Sequence, residues 1–274
     1  MPEGPEVRQI VDKLNKKLKN KIIKNIEVIG GRYFRRNTDF SKLNGLKIKS
    51  IKNYGKFIYW EFYETDIVLF NTLGMSGWWI NNDEPHNNIK FIFNNFFLYF
   101  NDPRNFGTLI ISDTINLDKK IKQLGADIFN KKDVDLFIER LNKKRDDTMI
   151  CTTLLDQNVI AGCGNYLRAE ALYIAKISPF RTIKNLSEDD INNLWDILVQ
   201  LSWFYYNEEK GKKLNIIDNK YELSAKYKKK GPSKYKPVEG TFHVYRQKTD
   251  TLGNKVLTKE INNRTIHYVS NIQK

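Results

Sequence analysis

Lys90-Phe91-Ile92-Phe93-Asn94-Asn95-Phe96-Phe97-Leu98-Tyr99-Phe100 is the stretch whose reading decides the first half of the fold. Two short runs rich in aromatic and β-branched residues are broken by two asparagines. Asparagine tolerates positive φ, so an Asn-Asn loop suits a tight two-residue hairpin. The same β-rich composition with period two extends from Lys21 to Ser112. Ile48, Ile51, Phe57, Tyr59, Trp60 and Phe62 suggest strands, as do Ile67 to Thr72 and Trp78 to Ile80. Several short strands with few helices predict a β-sandwich.

Upstream, Pro5 to Lys19 reads as a helix, with Val7, Ile10, Val11, Leu14 and Leu18 forming one apolar stripe. It begins in Met1-Pro2-Glu3-Gly4-Pro5-Glu6, which has two readings. In one, Pro5 opens a helix and the acids complement its dipole. In the other, removal of Met1 leaves Pro2 with a terminal secondary amine. An α-amino group titrates at about pH 8, so part of it is nucleophilic near neutrality. Its adduct with an aldehydic carbon is an iminium, an electron sink of the Schiff-base kind. Glu3 and Glu6 then stand near enough to handle protons.

Downstream the pattern weakens from Asp113 to Asp133, where a hinge is expected at 121–132, and helical periodicity then returns. Val134, Phe137, Ile138 and Leu141 mark one helix, Cys151 to Gln157 begins another, and Tyr166 to Lys176 forms a third. Ser187-Glu188-Asp189-Asp190 is a capping-box start for a long helix burying Ile191, Leu194, Trp195, Leu198 and Leu201. Val159 to Asn165 holds Gly162 and Gly164, either an ordinary connection or a turn whose N–H groups can approach a phosphate. Gly211 to Gly240 is poor in apolar residues and rich in Lys and Tyr, either a solvated loop or an aromatic-interleaved nucleic-acid surface. Phe242 to Arg246 and Thr265 to Val269 read as the two strands of a terminal hairpin.

The 274 residues carry 41% apolar and 28% charged residues, ordinary for a globular protein, with room for two domains. The net charge of +14 is not ordinary and predicts a polyanionic partner, nucleic acid before a membrane surface. No apolar run is long enough to span a bilayer, and the start lacks a signal-peptide pattern. Cys151 and Cys163, with His86, His243 and His267 scattered, cannot make a four-ligand zinc site. No disulfide scaffold is present, so an intracellular, reducing compartment is expected, whether nucleus, cytoplasm or viral factory.

Five segments together carry a resemblance. They are Met1 to Val7; Tyr54-Gly55-Lys56-Phe57; Leu73-Gly74-Met75-Ser76-Gly77; Asp102-Pro103-Arg104-Asn105-Phe106-Gly107; and Leu155-Asp156-Gln157 followed by Ala161 to Glu170. In this order and spacing the chain resembles the formamidopyrimidine-DNA glycosylase/endonuclease VIII family. That family ends in a four-cysteine zinc finger, yet no cysteine follows Cys163 here. Asn263-Arg264-Thr265-Ile266-His267-Tyr268 stands where the family carries its finger arginine, which is similar to the endonuclease VIII-like members with a zincless finger.

The resemblance implies an α+β fold. An N-terminal helix and catalytic β-sandwich fill 1–120, the hinge 121–132, and a helical domain with a helix–two-turn–helix motif 133–240. That domain carries a lesion-facing loop near 211–237, and a metal-free β-hairpin fills 241–274. It also implies a monomeric bifunctional DNA glycosylase/AP lyase needing no cofactor or metal. Pro2, Glu3, Glu6 and Lys56 would be catalytic. Lys56, Gly164, Asn165 and Arg264 would hold phosphates, and Met75, Arg104 and Phe106 would fill the space left by a flipped nucleotide in double-stranded, or even single-stranded, DNA. Read without it, Met75 and Phe106 are simply core residues and Lys56 a solvated strand-edge lysine. Oxidised pyrimidines and hydantoins are the preferred lesions implied. The alternatives are oxidised purines (8-oxoguanine, formamidopyrimidines) or a DNA-binding paralogue without catalysis.

Overall fold

A computed structural model describes residues 2–207 and 242–274 of the chain. The segment 211–237, to which a lesion-facing role was assigned above, lies outside the described residues. Contacts divide the described chain into two compact units. Pro2 and Glu6–Ile121 fall in the first; Glu3–Pro5, 122–207 and 242–274 fall in the second.

The first unit is a sandwich of two four-stranded sheets. One runs Asn25–Val28, Asn87–Ile92, Phe97–Asn101, Trp78–Ile80 in spatial order; the other runs Ile48–Tyr54, Phe57–Phe62, Ile67–Thr72, Thr108–Asp113. All their pairings are antiparallel. Between the sheets Trp79 meets Trp60, Phe91 and Phe100, with ring centroids 5.1–5.3 Å apart. The Trp79 indole N–H donates to the buried Asn71 Oδ1 at 3.0 Å, so one polar bond crosses the apolar layer with its donor satisfied. The helix Gly4–Leu18 lays its predicted stripe on this core: Val7, Ile10, Val11, Leu14 and Leu18 are all buried.

The opening hairpin forms as read, with Ile92 opposite Phe97 and the Phe93 N–H bonded to the Phe96 carbonyl. Its reason differs. Neither Asn94 nor Asn95 adopts positive φ, so the left-handed tolerance of asparagine is not what closes this turn. Phe93 and Phe96 stack across it at 4.6 Å and 13°, and Lys17 lies over the Phe96 ring.

The second unit is mainly helical. Val134–Asn142 packs on Glu188–Asn207 through a stacked Phe137–Trp195 pair. The long helix opens with a reciprocal cap: Asp190 N–H donates to Ser187 Oγ at 3.1 Å and Ser187 N–H to Asp190 Oδ2 at 3.0 Å. Of its predicted stripe only Ile191 is half-buried. The segment where the pattern weakens, Asp113 to Asp133, contains the helix Thr114–Gln123 and a short strand, Ala126–Asp127, paired in parallel with Ile160–Ala161. The helix expected from Cys151 is one turn, Ile150–Thr153.

The terminal hairpin forms, with its first strand further along the chain than the sequence suggests. Leu257–Ile261 pairs with Arg264–Tyr268, joined by Asn262 and Asn263 at φ +50° and +58°. That is the two-residue left-handed turn which matches strand twist. Phe242 to Arg246 forms no strand, because the N–H groups of His243, Val244 and Tyr245 all donate to the Glu170 carboxylate instead of a neighbouring strand.

Replacing Ser187 with Ala should destabilise the helical unit by about 1 kcal/mol. Urea unfolding followed by circular dichroism would register it as a lower midpoint at unchanged slope.

Candidate active site

In the helical unit the site is built on the helix Asn165–Ile174. The turn before it bends at Gly162 (φ +106°) and is clamped by Gln157, whose Oε1 accepts the Gly162 N–H at 3.0 Å and whose Nε2 donates to the Cys163 carbonyl at 2.9 Å. The first amides of the helix are thereby aimed outward, and a carboxylate is what a helix N-terminus binds. Glu3 supplies it. The Tyr166 N–H donates to Glu3 Oε1 at 2.9 Å and the Leu167 N–H to Oε2 at 3.2 Å. One residue on, the Gly4 N–H donates to the Gly162 carbonyl at 2.9 Å. Glu3 is 2% exposed.

Gly164 is required by this approach rather than by its backbone angles, which are extended. A Cβ there would lie 2.3 Å from Glu3 Cδ. Asn165 is half-buried; its Nδ2 donates to the Thr265 carbonyl at 3.0 Å, and its Oδ1 is buried without a partner. Arg264 is exposed at the start of the second hairpin strand, next to Thr265. Glu3, Gly164, Asn165 and the hairpin residue beside Arg264 are thus joined through one helix end.

In the sandwich unit two loops form a second group. The buried Asp102 accepts the Ser76 hydroxyl and the Gly107 N–H, both at 2.6 Å, while Ser76 Oγ accepts the Arg104 N–H at 3.2 Å. Gly74, at φ +60°, lies so close to the Phe106–Gly107 backbone that a Cβ would meet it at 2.6 Å. These contacts bring Met75, Arg104 and Phe106 together: Arg104 Nη1 is 3.8 Å from Met75 Sδ, and Phe106 is 57% exposed. Phe106 is therefore no core residue, and Met75 is half-buried. The Arg32 guanidinium donates to the Asn105 carbonyl and the Tyr33 hydroxyl to the Gly107 carbonyl, bracing the frame from the short helix Gly31–Arg35.

Lys56 is half-buried in the two-residue turn between Ile48–Tyr54 and Phe57–Phe62, where Gly55 takes φ +54° and the Asn53 side chain bonds the Gly55 carbonyl. Pro2 is buried, one peptide bond from the anchored Glu3, and Glu6 is half-buried on the N-terminal helix.

Three family models match the chain in order: the formamidopyrimidine-DNA glycosylase N-terminal domain over residues 1–109, the H2TH domain over 124–202 and the C-terminal domain over 234–274. This chain belongs to the formamidopyrimidine-DNA glycosylase family. The formamidopyrimidine-DNA glycosylase of Oceanobacillus iheyensis is 32% identical over 207 residues, covering 71% of this chain and 72% of the relative. That of Ureaplasma parvum is 35% identical over 201 residues, covering 68% and 72%. Among solved structures, the Lactococcus lactis Fpg complex with abasic-site DNA superposes with a TM-score of 0.79 over 99% of both chains at 24% identity, a likeness of fold. The same bacterium's Fpg with a FAPY-dG-containing DNA gives 0.78.

The family's zinc finger does not fit here. Residues 242–274 contain no cysteine. Cys151 and Cys163 are buried in the helical core, where burial pushes the Cys151 thiol up, away from the thiolate a metal binds. Among the described residues no three His, Cys, Asp or Glu side chains cluster as a metal site, and no helix is long and apolar enough to cross a membrane. Three buried groups to which sequence reasoning gave no role hold this region: Arg168, whose guanidinium donates to the Cys151 and Thr265 carbonyls, Glu170 and Asp250. Arg168 and Glu170 lay inside a quoted motif; their charge at helix positions flanked by apolar residues was the available signal.

Two outcomes are expected. Gly164→Ala should push Glu3 off its two amides, leaving buried donors unsatisfied at about 1–3 kcal/mol; faster hydrogen exchange at the Tyr166 and Leu167 amides would report it. Burial and the Asp250 hydrogen bond push the Tyr173 phenol up to about 12, while amide and hydroxyl donors hold Asp250 below the usual carboxylate range. Tyr173 therefore supports the fold fully below about pH 10 and loses that support as pH rises towards 12. Asp250 supports it above about pH 4 and loses that as pH falls through its lowered value. Methyl resonances of Val244 and Val256 should move as pH rises from about 10 towards 12 and again as it falls below about 4.

Proposed function

We propose that the chain is a bifunctional DNA glycosylase/AP lyase that removes oxidised bases and cuts the strand by β,δ-elimination. The observation that carries this reading is the seating of Glu3 on the Tyr166 and Leu167 amides, which fixes a carboxylate one residue from a proline amine. With Met1 removed, the Pro2 nitrogen attacks C1′ of an extruded nucleotide. The N–C1′ bond forms and the base leaves with the glycosidic electron pair. The Glu3 carboxylate takes the proton shed by the Pro2 nitrogen and delivers it to the opening sugar or the departing base, and Glu6 helps to orient the site. Ring opening gives an iminium, C1′ now doubly bonded to the Pro2 nitrogen. The iminium acidifies C2′; loss of that proton expels the 3′ phosphate, and a second elimination expels the 5′ phosphate. Water then releases Pro2 from the sugar fragment, leaving a gap with phosphates at both ends. No step draws on a cofactor.

Lys56, Asn165, Arg264 and the Gly164 backbone would contact phosphates around the lesion, lysine as a point charge and arginine as a planar fork. For Asn165 the second amide N–H serves, since one is used on the Thr265 carbonyl. Met75 and Phe106 would wedge into the vacated space, and Arg104 would hydrogen-bond the orphaned base. Basic character favours such a substrate: the net charge is +14. A binding-only paralogue would not need a terminal proline beside an anchored Glu3.

The likeness to zincless endonuclease VIII-like members favours oxidised pyrimidines and hydantoins. A second reading, oxidised purines, is favoured by the relatives' names, all formamidopyrimidine-DNA glycosylase. A panel of thymine glycol, 5-hydroxyuracil, hydantoin and 8-oxoguanine oligonucleotides separates them; cutting of 8-oxoguanine alone, opposite cytosine, would support the purine reading.

Borohydride should trap a covalent complex with abasic DNA, and Pro2→Gly or a blocked N-terminus should greatly reduce it. Undiminished trapping with the terminus blocked would overturn the mechanism.

A further inference from the structure

Four polar side chains of the helix Asn165–Ile174, those of Asn165, Arg168, Glu170 and Tyr173, reach the C-terminal segment. Asn165 and Arg168 both donate to the Thr265 carbonyl, at 3.0 and 3.4 Å. Glu170, fully buried, accepts the N–H groups of His243, Val244 and Tyr245 at 2.8–2.9 Å. The Tyr173 hydroxyl donates to Asp250 Oδ2 at 2.9 Å, and Asp250 in turn accepts the Leu252 and Asn254 N–H groups and the Asn254 side-chain amide. The two carboxylates thus gather six donors from residues 243–254, besides Tyr173. Carboxylate–amide bonds of this kind are charge-assisted and about twice as strong as neutral ones.

What they hold matters because an isolated two-stranded hairpin is marginal in water, and residues 242–274 have no cysteine with which to hold a metal. Its fully buried apolar support is four side chains, Val244, Val256, Ile266 and Val269, with Phe242, Tyr245, Ile261, Tyr268 and Ile272 packed half-buried on the same core. Val244 lies inside the turn wrapped on Glu170, and Val256 two residues beyond the turn wrapped on Asp250. We propose that Glu170, seconded by Asp250, is the positioning residue for Arg264: the two carboxylates organise the finger in the place of a metal and so set the arginine that meets DNA. The inference rests on the DNA-binding reading of Arg264 given above. Glu170 itself is buried and touches no substrate, so its effect on DNA must pass through the arginine.

The test is a double-mutant cycle read by fluorescence anisotropy on a duplex carrying a tetrahydrofuran abasic analogue, which offers the Pro2 amine no aldehydic carbon, at several salt concentrations, with the full chain. Arg264→Ala should weaken binding about tenfold and lower the slope of log K against log salt by about one. Glu170→Gln, which keeps size and removes the charge, should do nearly the same. The double variant should be no weaker than Arg264→Ala alone, whereas Glu170→Gln combined with Lys56→Ala should be weaker by the product of the two single losses. Glu170→Asp should recover part of the affinity and slope. A Glu170→Gln protein that is folded by circular dichroism yet binds with wild-type affinity and slope would overturn the proposal. So would losses of Glu170→Gln and Arg264→Ala that multiply. If Glu170→Gln does not fold, Tyr173→Phe, which removes one donor from Asp250 and leaves its other three, takes its place in the cycle; its losses coinciding with those of Arg264→Ala support the proposal, and their multiplying overturns it. Anisotropy is independent of catalysis, so absence of borohydride trapping would sink the lyase reading without touching this cycle.

Discussion

A carboxylate seated on the first amides of a helix is the constraint from which the rest of the candidate site follows. Glu3 uses both its oxygens on the Tyr166 and Leu167 N–H groups. Those amides are the ones a helix leaves without internal partners, so the bond satisfies the helix end and the acid together. It also draws three chain-terminal residues, Glu3–Pro5, into the helical unit while the remainder of their helix belongs to the sandwich unit. Chain ends normally fray; this one is tied by side chain and backbone alike. Gly164 and Gly4 are small because the two backbones come together there, Gly4 lying 3.2 Å by its virtual Cβ from Gly162 and 2.5 Å from Ile128.

The same helix works along its length. Its first turn faces the N-terminus, and its polar side chains face the C-terminal segment. A chain of 274 residues therefore has its two ends organised by one ten-residue element. Buried charge is tolerable there because each group is met by several donors or acceptors; Glu170 has three backbone donors and Arg168 two backbone carbonyls.

Much of this was legible because the signals were local. The stripe Val7 to Leu18 is periodic, Ser187 to Asp190 is a capping box, and the aromatic runs around Asn94-Asn95 are short, β-rich and broken by two turn residues. The failures came where a distant side chain decided the outcome. Phe242 to Arg246 looks like a strand, but its N–H groups belong to Glu170, more than seventy residues away, and no window of sequence displays that. Asn94-Asn95 and Asn262-Asn263 are the same dipeptide in two different backbones: the first pair keeps negative φ beneath a stacked Phe pair, the second is left-handed. Asp113 to Asp133 hid the helix Thr114–Gln123 because Leu117 is its one fully buried residue, too few to make a stripe. Of the site residues, Met75, Arg104 and Phe106 were found through the resemblance, yet what unites them, Asp102, was quoted only as part of a motif.

Asp102 has a consequence for how the tips it organises would be used. Its two bonds, with Gly74 pressed on the Phe106–Gly107 backbone, leave the main chain of both loops settled while Arg104 and Phe106 still project outward. The ordering entropy of those loops is met when the chain folds, not when something is bound. Frame and tip are thus separable properties. The side chain at 104 or 106 can change in size or chemistry with little structural penalty, because the loops that carry them are held by Asp102 and Gly74.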